Sequence, residues 1–197
     1  MALPIVGITM GDPTGVGPEV VIKVLTQAKV HRICKPLVIG DRNVIARAAK
    51  MVRSSVKVEA IDKPEKLEPS YRKIHVLSLT HMNPDLLRFG RPDKNCGKAM
   101  FNYIKEAVNM AMAGQIAAIV TAPINKFAMN EAGFNYGGHT EVLSEMTGTK
   151  DYAMMLAGSR LKVALVTTHC PLRDVAGMIT PGRVLKTVVL TCRFLHE

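Results

Sequence analysis

The sequence predicts a layered α/β fold, in which strands and helices alternate along the chain and helices cover a sheet. Two observations support this class. Short apolar runs of strand length recur at residues 4–10, 35–41 and 116–123, and stretches with the three-to-four-residue apolar period of a helix follow them. Hydrophobic residues make up 48% of the 197 positions, enough to bury the core of one domain or of two small ones. Such alternation is typical of a sheet flanked by helices.

The first elements predict a strand-helix-strand opening. The apolar run 4–10 predicts a buried strand, and GDPTGVGPEV at 11–20 predicts a tight turn into a helix that starts near Pro18. Glycine allows backbone angles and close approaches that other residues do not, and proline suits the first helical position because no backbone donor is needed there. The second strand, KPLVIGD, ends at Asp41, and an alanine-rich helix follows it to about Val52.

The middle of the chain is more polar until a long helix begins. Residues 54–94 are interrupted by prolines and contain two short strand candidates, VKVEAI and IHVLSL. The clearest helix is 96–114, which stops at Gly114, a residue type favoured at helix C-termini. Its apolar positions recur every three or four residues: Met100, Tyr103, Ile104, Ala107, Val108 and Ala111.

The last third continues the alternation. It predicts a buried strand at 116–123, helices at 124–133 and 137–148, and two strands within 151–169, joined by a turn at Gly158–Ser159 and ending at His169. A final helix has a clear start, because Thr180 and Pro181 are good residues for the N-cap and the first turn. It then runs to the last residue without a stop signal.

Composition and charge narrow the function classes. The formal net charge is +10, but the basic residues are scattered and tryptophan is absent, so we expect phosphorylated metabolites rather than nucleic acid as partners. No apolar run approaches the roughly 20 residues of a spanning helix, and the amino terminus lacks the pattern of a signal peptide. Four well-separated cysteines indicate neither a zinc knuckle nor a disulfide framework. We therefore expect a cytoplasmic protein without a membrane anchor.

Candidate binding residues lie after strand ends, where open α/β sheets bind ligands. Lys126 follows the strand predicted at 116–123 and would place an ammonium beside free backbone N–H groups, which suits an anion; the alternative is a solvated surface lysine. His139 and Thr140 follow a glycine pair at a helix start, an arrangement suited to a phosphate or carboxylate. The alternative there is an ordinary cap, with Thr140 as N-cap and His139 exposed.

His169 is a candidate metal ligand, because neutral imidazole is a common one. No second ligand stands beside it at metal-ligand spacing, so a complete site would need residues from elsewhere, and a structural histidine is the alternative. Asp174 is close in sequence, but an ion pair with Arg173 explains it equally well.

Five sequence blocks resemble one enzyme family. GDPTGVGPEV lacks both standard nucleotide fingerprints. It resembles the GDGIGPE turn of isopropylmalate and isocitrate dehydrogenases, and more closely the opening of the 4-hydroxythreonine-4-phosphate dehydrogenase family of pyridoxal phosphate (vitamin B6) biosynthesis. The blocks TAPINK, GGHTE, DYAMMLAG and VALVTTHCPLRDV resemble the same family in the same order. The resemblance extends over residues 4–197.

The resemblance implies a fold, an activity and site residues. Family members are homodimers of isopropylmalate dehydrogenase-like subunits of roughly 330 residues, with two layered α/β/α domains around an active-site cleft. They oxidise the 3-hydroxyl of a 4-phosphorylated hydroxy acid with NAD or NADP and a divalent metal (zinc, magnesium or cobalt), and the product then loses carbon dioxide. The matching motifs make His139 and Thr140 substrate-binding residues and His169 one of three metal histidines. Lys126 is added as a further substrate contact from its position alone.

The resemblance also implies that this chain is an amino-terminal part of the enzyme, apparently truncated. The other two metal histidines and much of the cofactor site would lie beyond residue 197, which leaves two incomplete domains at 1–122 and 123–197. A metal held by His169 alone is not expected to bind tightly. The related branch that acts on 4-phospho-D-threonate or erythronate fits the motifs equally well. An inactive phosphate-binding or dimerising fragment is the third interpretation.

Overall fold

The computed structural model describes residues 3–68 and 70–196. They form two compact units, divided between Thr147 and Gly148, which we call unit 1 and unit 2. Residues 123–147, assigned from the sequence to the second domain, lie in unit 1. The domain boundary predicted for a complete two-domain enzyme stays a prediction.

Unit 1 is built on a five-stranded parallel sheet. Its spatial order is β3-β4-β2-β1-β5. The chain runs from β1 towards one edge of this sheet and later crosses to the other side of β1 for β5, so the winding direction reverses between β1 and β5. In open α/β sheets, the carboxyl ends of two such strands border the usual ligand-binding crevice. The strands are β1 (Ile5–Thr9), β2 (Lys35–Asp41), β3 (Lys57–Ile61), β4 (Lys73–Thr80) and β5 (Ala118–Thr121).

Helices cover both faces of this sheet. The helices of unit 1 are α1 (Gly17–Leu25), α2 (Arg42–Met51), α3 (Lys94–Met112), α4 (Lys126–Glu131) and α5 (His139–Thr147). α1 and α2 pack against each other, whereas α3 packs across β1, β2 and β5 and also contacts α4 and α5. Right-handed crossovers that move in opposite directions along a sheet place their helices on opposite faces. The layered α/β/α class predicted from the sequence is therefore confirmed.

Two apolar clusters hold these layers together. The main one lies between the sheet and its helices and includes Leu37, Val38 and Ile39 of β2, which are fully buried. Burial on both faces explains why this strand reads as a continuous apolar run. The second cluster joins α3 to α4 and α5 through Cys96, Met100, Ile104, Val108, Ala128, Met129 and Val142. This cluster anchors residues 126–147 within unit 1.

α3 and α4 approach each other closely at a glycine. A Cβ atom added at Gly97 would lie 2.0 Å from the backbone oxygen of Ala128, so only glycine allows this distance between the helices. The position of α4, and of Lys126 at its first residue, is thereby fixed against the long helix α3.

β5 differs from the prediction. The sequence predicts a buried strand over 116–123, but β5 covers only Ala118–Thr121 and half of the Val120 side chain is exposed (51%). β5 lies at an edge of the five-stranded sheet and pairs with β1 alone. An apolar run by itself does not distinguish such an edge strand from a central one.

Unit 2 contains an antiparallel strand pair and two helices. These are β6 (Met154–Ala157), β7 (Lys162–Leu165), α6 (Leu172–Met178) and α7 (Pro181–His196). The predicted turn at Gly158–Ser159 is confirmed, since the Gly158 N–H donates to the Leu161 carbonyl at 2.8 Å. Thr180 caps α7 as predicted, because its Oγ1 accepts from the Arg183 N–H at 3.3 Å.

Two details of unit 2 depart from the sequence analysis. β7 ends at Leu165, so the prediction that this strand ends at His169 is wrong. α6 was not predicted from the sequence. The last residue of the predicted final helix, Glu197, lies outside the described residues. Within the described residues no single helix is long and apolar enough to cross a membrane. Taken together, α6 and α7 have the length and composition of a membrane span, but the two helices are bent by 88° relative to each other.

Candidate functional site

The loops that follow β1 and β5 pack directly against each other. Gly11, the second residue after β1, has a φ of +74°, and a Cβ added there would lie 2.3 Å from the Pro123 carbonyl oxygen. The Asp12 N–H donates a hydrogen bond to the same oxygen at 2.9 Å. The glycine-rich turn therefore determines where the segment after β5 runs, at the point where the winding of the sheet reverses.

Asp12, in the glycine-rich turn, forms its hydrogen bonds within the turn itself. One Asp12 carboxylate oxygen accepts from the Thr14 N–H and from the Thr14 hydroxyl, both at 2.8 Å. Asp12 is almost fully buried. A carboxylate that organises its own loop in this way is typical of an Asx turn, so we give Asp12 a structural role.

The segment after β5 brings Lys126 next to the glycine pair that precedes α5. α4 begins at Lys126, and the Asn125 side chain caps it by accepting from the Ala128 N–H at 3.0 Å. The Lys126 Nζ atom lies 3.8 Å from the position that a Cβ on Gly138 would occupy. Two blocks that are separated in the sequence, TAPINK and GGHTE, thus meet at one place in the structure.

Stacked aromatic rings fix the segment that precedes the glycine pair. The Phe134 ring stacks on Phe101 of α3 with centroids 3.9 Å apart, and Tyr136 lies parallel to the same ring at 6.0 Å. The Tyr136 hydroxyl donates to Glu145 at 3.0 Å, which ties the segment to α5. These contacts fix the chain that leads directly into His139.

His139 is the first residue of α5 and is half-buried. Thr140 therefore lies inside the helix, so the structure does not show it as an N-cap. Burial lowers the pKa of His139 and the Lys126 charge lowers it further, whereas a hydrogen bond to the backbone of Ala122 raises it; burial is the largest cause. The imidazole is accordingly neutral near pH 7.

One ring nitrogen of His139 lacks a partner. The Nε2 atom is buried and forms no hydrogen bond with the described residues. Buried polar atoms are usually paired, and exceptions occur preferentially where a ligand is bound. This orphaned nitrogen distinguishes His139 from an exposed histidine at a helix end.

Gly138 lies between the side chains of Lys126 and Glu141. Its φ is not positive, and a Cβ there would make ordinary contacts, 3.5 Å from the Glu141 Oε2 atom and 3.6 Å from the Lys126 Cε atom. Glycine is therefore not required by the backbone or by a clash. The Glu141 carboxylate and the Lys126 ammonium both border this position, although Lys126 has no ion-pair partner within 4.0 Å among the described residues.

The sequence analysis noted the glycine pair before His139 but did not select Gly138 or Glu141 as site residues. Glu141 is the third residue of α5 and folds back over the glycine pair, where a Cβ on Gly137 would lie 3.4 Å from its carboxyl carbon. A glutamate at this position is typical of a capping box, which was the available signal. We call Lys126, Gly138, His139, Thr140 and Glu141 the switch-point cluster.

His169 lies in unit 2, in an exposed loop four residues beyond the end of β7. Its φ is +54°, an uncommon value for a residue other than glycine. No group of three His, Cys, Asp or Glu residues that could hold a metal ion occurs in the described part of the chain. The ion pair between Asp174 and Arg173, considered in the sequence analysis, is present, because the Asp174 carboxylate lies 3.7 Å from the Arg173 Nε atom.

An apolar cleft of about 430 Å³ borders the glycine-rich turn. α2 contributes Arg47 to this cleft, and the Arg47 guanidinium lies over the Phe89 ring at 4.2 Å and donates to the Leu87 carbonyl at 3.1 Å. The cleft is also lined by Pro13, Val16, Pro18, Val44 and Met51. Its apolar lining contrasts with the charged switch-point cluster.

Known proteins resemble this chain along nearly its whole length. A 4-hydroxythreonine-4-phosphate dehydrogenase of Desulforapulum autotrophicum is 40% identical over 98% of the chain, which covers 56% of that protein. A Clostridium botulinum protein, provisionally named a D-threonate 4-phosphate dehydrogenase, is 39% identical over 98% of the chain and 58% of its own length. The chain thus spans less than two thirds of these relatives.

Solved structures agree with the fold. The crystal structure of a 4-hydroxythreonine-4-phosphate dehydrogenase from Burkholderia phymatum superposes with a TM-score of 0.86 at 42% identity, covering 95% of this chain and 57% of that one. A Klebsiella pneumoniae structure of the same name superposes with a TM-score of 0.91 at 34% identity, and the match covers 98% of this chain and 59% of that one. The fold is therefore the isopropylmalate dehydrogenase-like α/β fold that the sequence resemblance implied.

A protein-family model also matches the chain, in addition to the individual relatives and structures. The family model described as "Pyridoxal phosphate biosynthetic protein PdxA" matches residues 32–197, which is most of the chain. The chain belongs to the PdxA family.

Proposed function

We propose that the chain functions in the NAD- or NADP-dependent, divalent-metal-dependent oxidation and decarboxylation of 4-hydroxythreonine 4-phosphate, a step of vitamin B6 biosynthesis, and carries only part of the site. The observation that carries this proposal is the switch-point cluster: an ammonium without an ion-pair partner, a glycine beside it and a buried, unpartnered imidazole nitrogen at the crevice of the sheet. The names of the relatives support the same substrate.

Four of the five residues of the cluster have a proposed role in binding, and Glu141 has none. The Lys126 ammonium would neutralise and orient an anionic group of the substrate placed over Gly138. Thr140 and the first N–H groups of α5 would donate to the same group, since a helix N-terminus favours negative charge. The neutral His139 ring would form the hydrogen bond that its Nε2 atom lacks. Such contacts contribute mainly by orienting the reacting hydroxyl.

The metal and the nicotinamide need residues that the described chain does not assemble. His169 would supply one metal ligand, and the remaining ligands would come from residues outside these 197. When bound, zinc, magnesium or cobalt would supply Lewis-acid chemistry, and NAD or NADP would accept the hydride. We assign no residue to the nicotinamide cofactor, because the glycine-rich turn matches neither standard fingerprint.

The remaining partners are proposed on the same basis. The chain would act as a homodimer in the cytoplasm, as the family resemblance implies. Its net charge of +10 suits a phosphorylated acid as substrate. Scattered basic residues and the lack of tryptophan support neither a nucleic-acid partner nor base stacking.

Oxidation of D-threonate 4-phosphate is the second candidate function. The Clostridium botulinum relative, which carries that name, is 39% identical to the chain, almost the same value as the 40% of the Desulforapulum autotrophicum relative. Identity at this level does not separate two substrates that share a phosphate and a hydroxyl.

Formation of reduced nicotinamide tests the proposal directly. Both phosphorylated substrates are assayed with NAD and NADP and with zinc, magnesium or cobalt, using this chain and the same chain continued at its carboxyl end with the remaining segment of a relative. We expect turnover only in the continued chain, and the preferred substrate decides between the two candidate functions. Turnover in neither protein, with both folded, would contradict the proposed activity. Full activity of the 197-residue chain would contradict the proposal that this chain carries only part of the active site.

Lys126→Met tests the switch-point cluster in the continued chain. Losing a charge-assisted contact to substrate should lower kcat/KM by about 30-fold, which corresponds to ~2 kcal/mol of transition-state binding. Lys105→Met is a matched control, because Lys105 is an exposed lysine on α3 outside the cluster. We expect it to change kcat/KM by less than about twofold. Equal effects of the two substitutions would remove Lys126 from the site.

A further inference from the structure

The His139 ring is held through only one of its two nitrogens. Burial lowers the pKa of His139, whereas a hydrogen bond to the backbone of Ala122 acts in the opposite direction and raises it. A hydrogen bond that favours the protonated ring is one in which the ring donates, so the acceptor is the Ala122 carbonyl oxygen. Because Nε2 forms no hydrogen bond with the described residues, the donating nitrogen is Nδ1.

This hydrogen bond determines where the ring lies in the fold. Ala122 directly follows β5, and its own N–H donates to the carbonyl of Thr9, the last residue of β1, at 3.1 Å. The imidazole is therefore tied to the carboxyl ends of the two strands between which the winding of the sheet reverses. Open α/β sheets usually bind their ligands at this place.

The same hydrogen bond determines the tautomer of the neutral ring. A neutral imidazole carries one N–H group, and His139 uses it at Nδ1. Nε2 is left with a lone pair and no proton, so it can accept a hydrogen bond but cannot donate one. This atom is also shielded from bulk water, and a buried acceptor without a partner is costly. The partner that Nε2 lacks is therefore a hydrogen-bond donor.

Few groups of a phosphorylated hydroxy acid are donors. A carboxylate is ionised at neutral pH and a phosphate monoester is largely a dianion, so both act as acceptors. An ammonium group could donate, but the charge that acts on the His139 ring is the positive charge of Lys126, which repels a second cation. A hydroxyl group is neutral and donates one hydrogen bond, so it matches Nε2 best.

We propose that Nε2 of His139 accepts a hydrogen bond from the 3-hydroxyl group of the substrate. This inference rests on the proposed function and deepens it, because both candidate substrates carry that hydroxyl. The sequence pattern around His139 suggested a phosphate or carboxylate, whereas the tautomer leaves those anions to Lys126 and to the N–H groups at the start of α5. His139 would thus select for a hydroxyl at the position that is oxidised and would orient it.

The tautomer can be tested in the 197-residue chain without any ligand. Nitrogen-15 NMR of the histidine side chains is recorded at about pH 7.5, and the His139→Asn protein identifies the signals of His139. We expect Nδ1 to carry the proton and Nε2 to lack one. A proton on Nε2 would overturn the proposal, since that atom would then be a donor.

The hydroxyl contact can be tested by calorimetry in the continued chain. Binding of D-threonate 4-phosphate and of its 3-deoxy analogue is compared without nicotinamide and with a chelator present, so that no metal contacts the hydroxyl. Removing the hydroxyl should weaken binding by about tenfold, the effect of losing one hydrogen bond at a desolvated site. In His139→Asn, which can still donate to Ala122 but has no group at the position of Nε2, the two ligands should bind within about twofold of each other.

His81→Asn is the matched control, because His81 is exposed and lies outside the switch-point cluster. It should keep the tenfold preference for the ligand with the hydroxyl. The same preference in His139→Asn, no preference in the unsubstituted protein, or no measurable binding of either ligand would overturn the proposal. A continued chain that binds with the expected preference but forms no reduced nicotinamide would instead contradict the proposed activity and support the contact at Nε2.

Discussion

Replacing His169 by alanine in the continued chain is expected to lower metal-dependent turnover by about 1,000-fold or more. The proposed metal acts as a Lewis acid worth several kcal/mol, and a site without one of its ligands holds the metal weakly. Because the His169 side chain is exposed, the substitution removes little packing. Turnover with added zinc and the metal content of the purified protein are the two measurements.

The positive φ of His169 calls for a second variant. His169→Asn removes the imidazole but keeps a residue type that tolerates a φ of +54°. It should lose bound metal to the same extent as His169→Ala while keeping the melting temperature. His196→Ala is the matched control, since His196 is exposed and belongs to the same unit. If all three proteins retain the same metal content, His169 is not a metal ligand.

Gly11→Ala should cost about 4 kcal/mol of the free energy of unfolding of unit 1. The added Cβ would meet the Pro123 oxygen at 2.3 Å, and alanine would also have to adopt a φ of +74°. Backbone strain of this kind costs about 1–3 kcal/mol, and the clash adds to it. Urea unfolding followed by circular dichroism measures the loss.

Gly114→Ala separates the two contributions. Gly114 has nearly the same φ, +70°, but an added Cβ there would meet no atom within 4 Å. It should therefore lose only about 1 kcal/mol, the cost of the backbone conformation. Equal losses at the two positions would show that the contact between the glycine-rich turn and the segment after β5 contributes nothing to stability.

Local sequence signals predicted most elements of the fold. β2 was predicted with both ends correct, because its apolar run is buried on both faces and Asp41 caps the next helix. α3 was predicted from the period of its apolar face and from Gly114, but its start was placed at Cys96, two residues late, because the cap at Asp93 was not recognised. α6 was missed because it has only seven residues, too few to show a helical period.

Contacts between distant segments could not be predicted in the same way. The proximity of Lys126 to Gly138 depends on the packing of α4 and α5 against α3, which no local pattern encodes. The orphaned nitrogen of His139 likewise requires knowledge of which groups surround the ring. The role of His169 in a metal site stays a prediction.

The glycines of the chain serve two opposite purposes, and Gly138 illustrates the less familiar one. At Gly11 the atom that is absent would collide with protein, so the residue is demanded by folding. At Gly138 a methyl group would fit without collision, so folding makes no such demand. A methyl group there would lie against the Lys126 and Glu141 side chains, so a substitution at Gly138 should keep the architecture intact and change only the surroundings of the proposed substrate site.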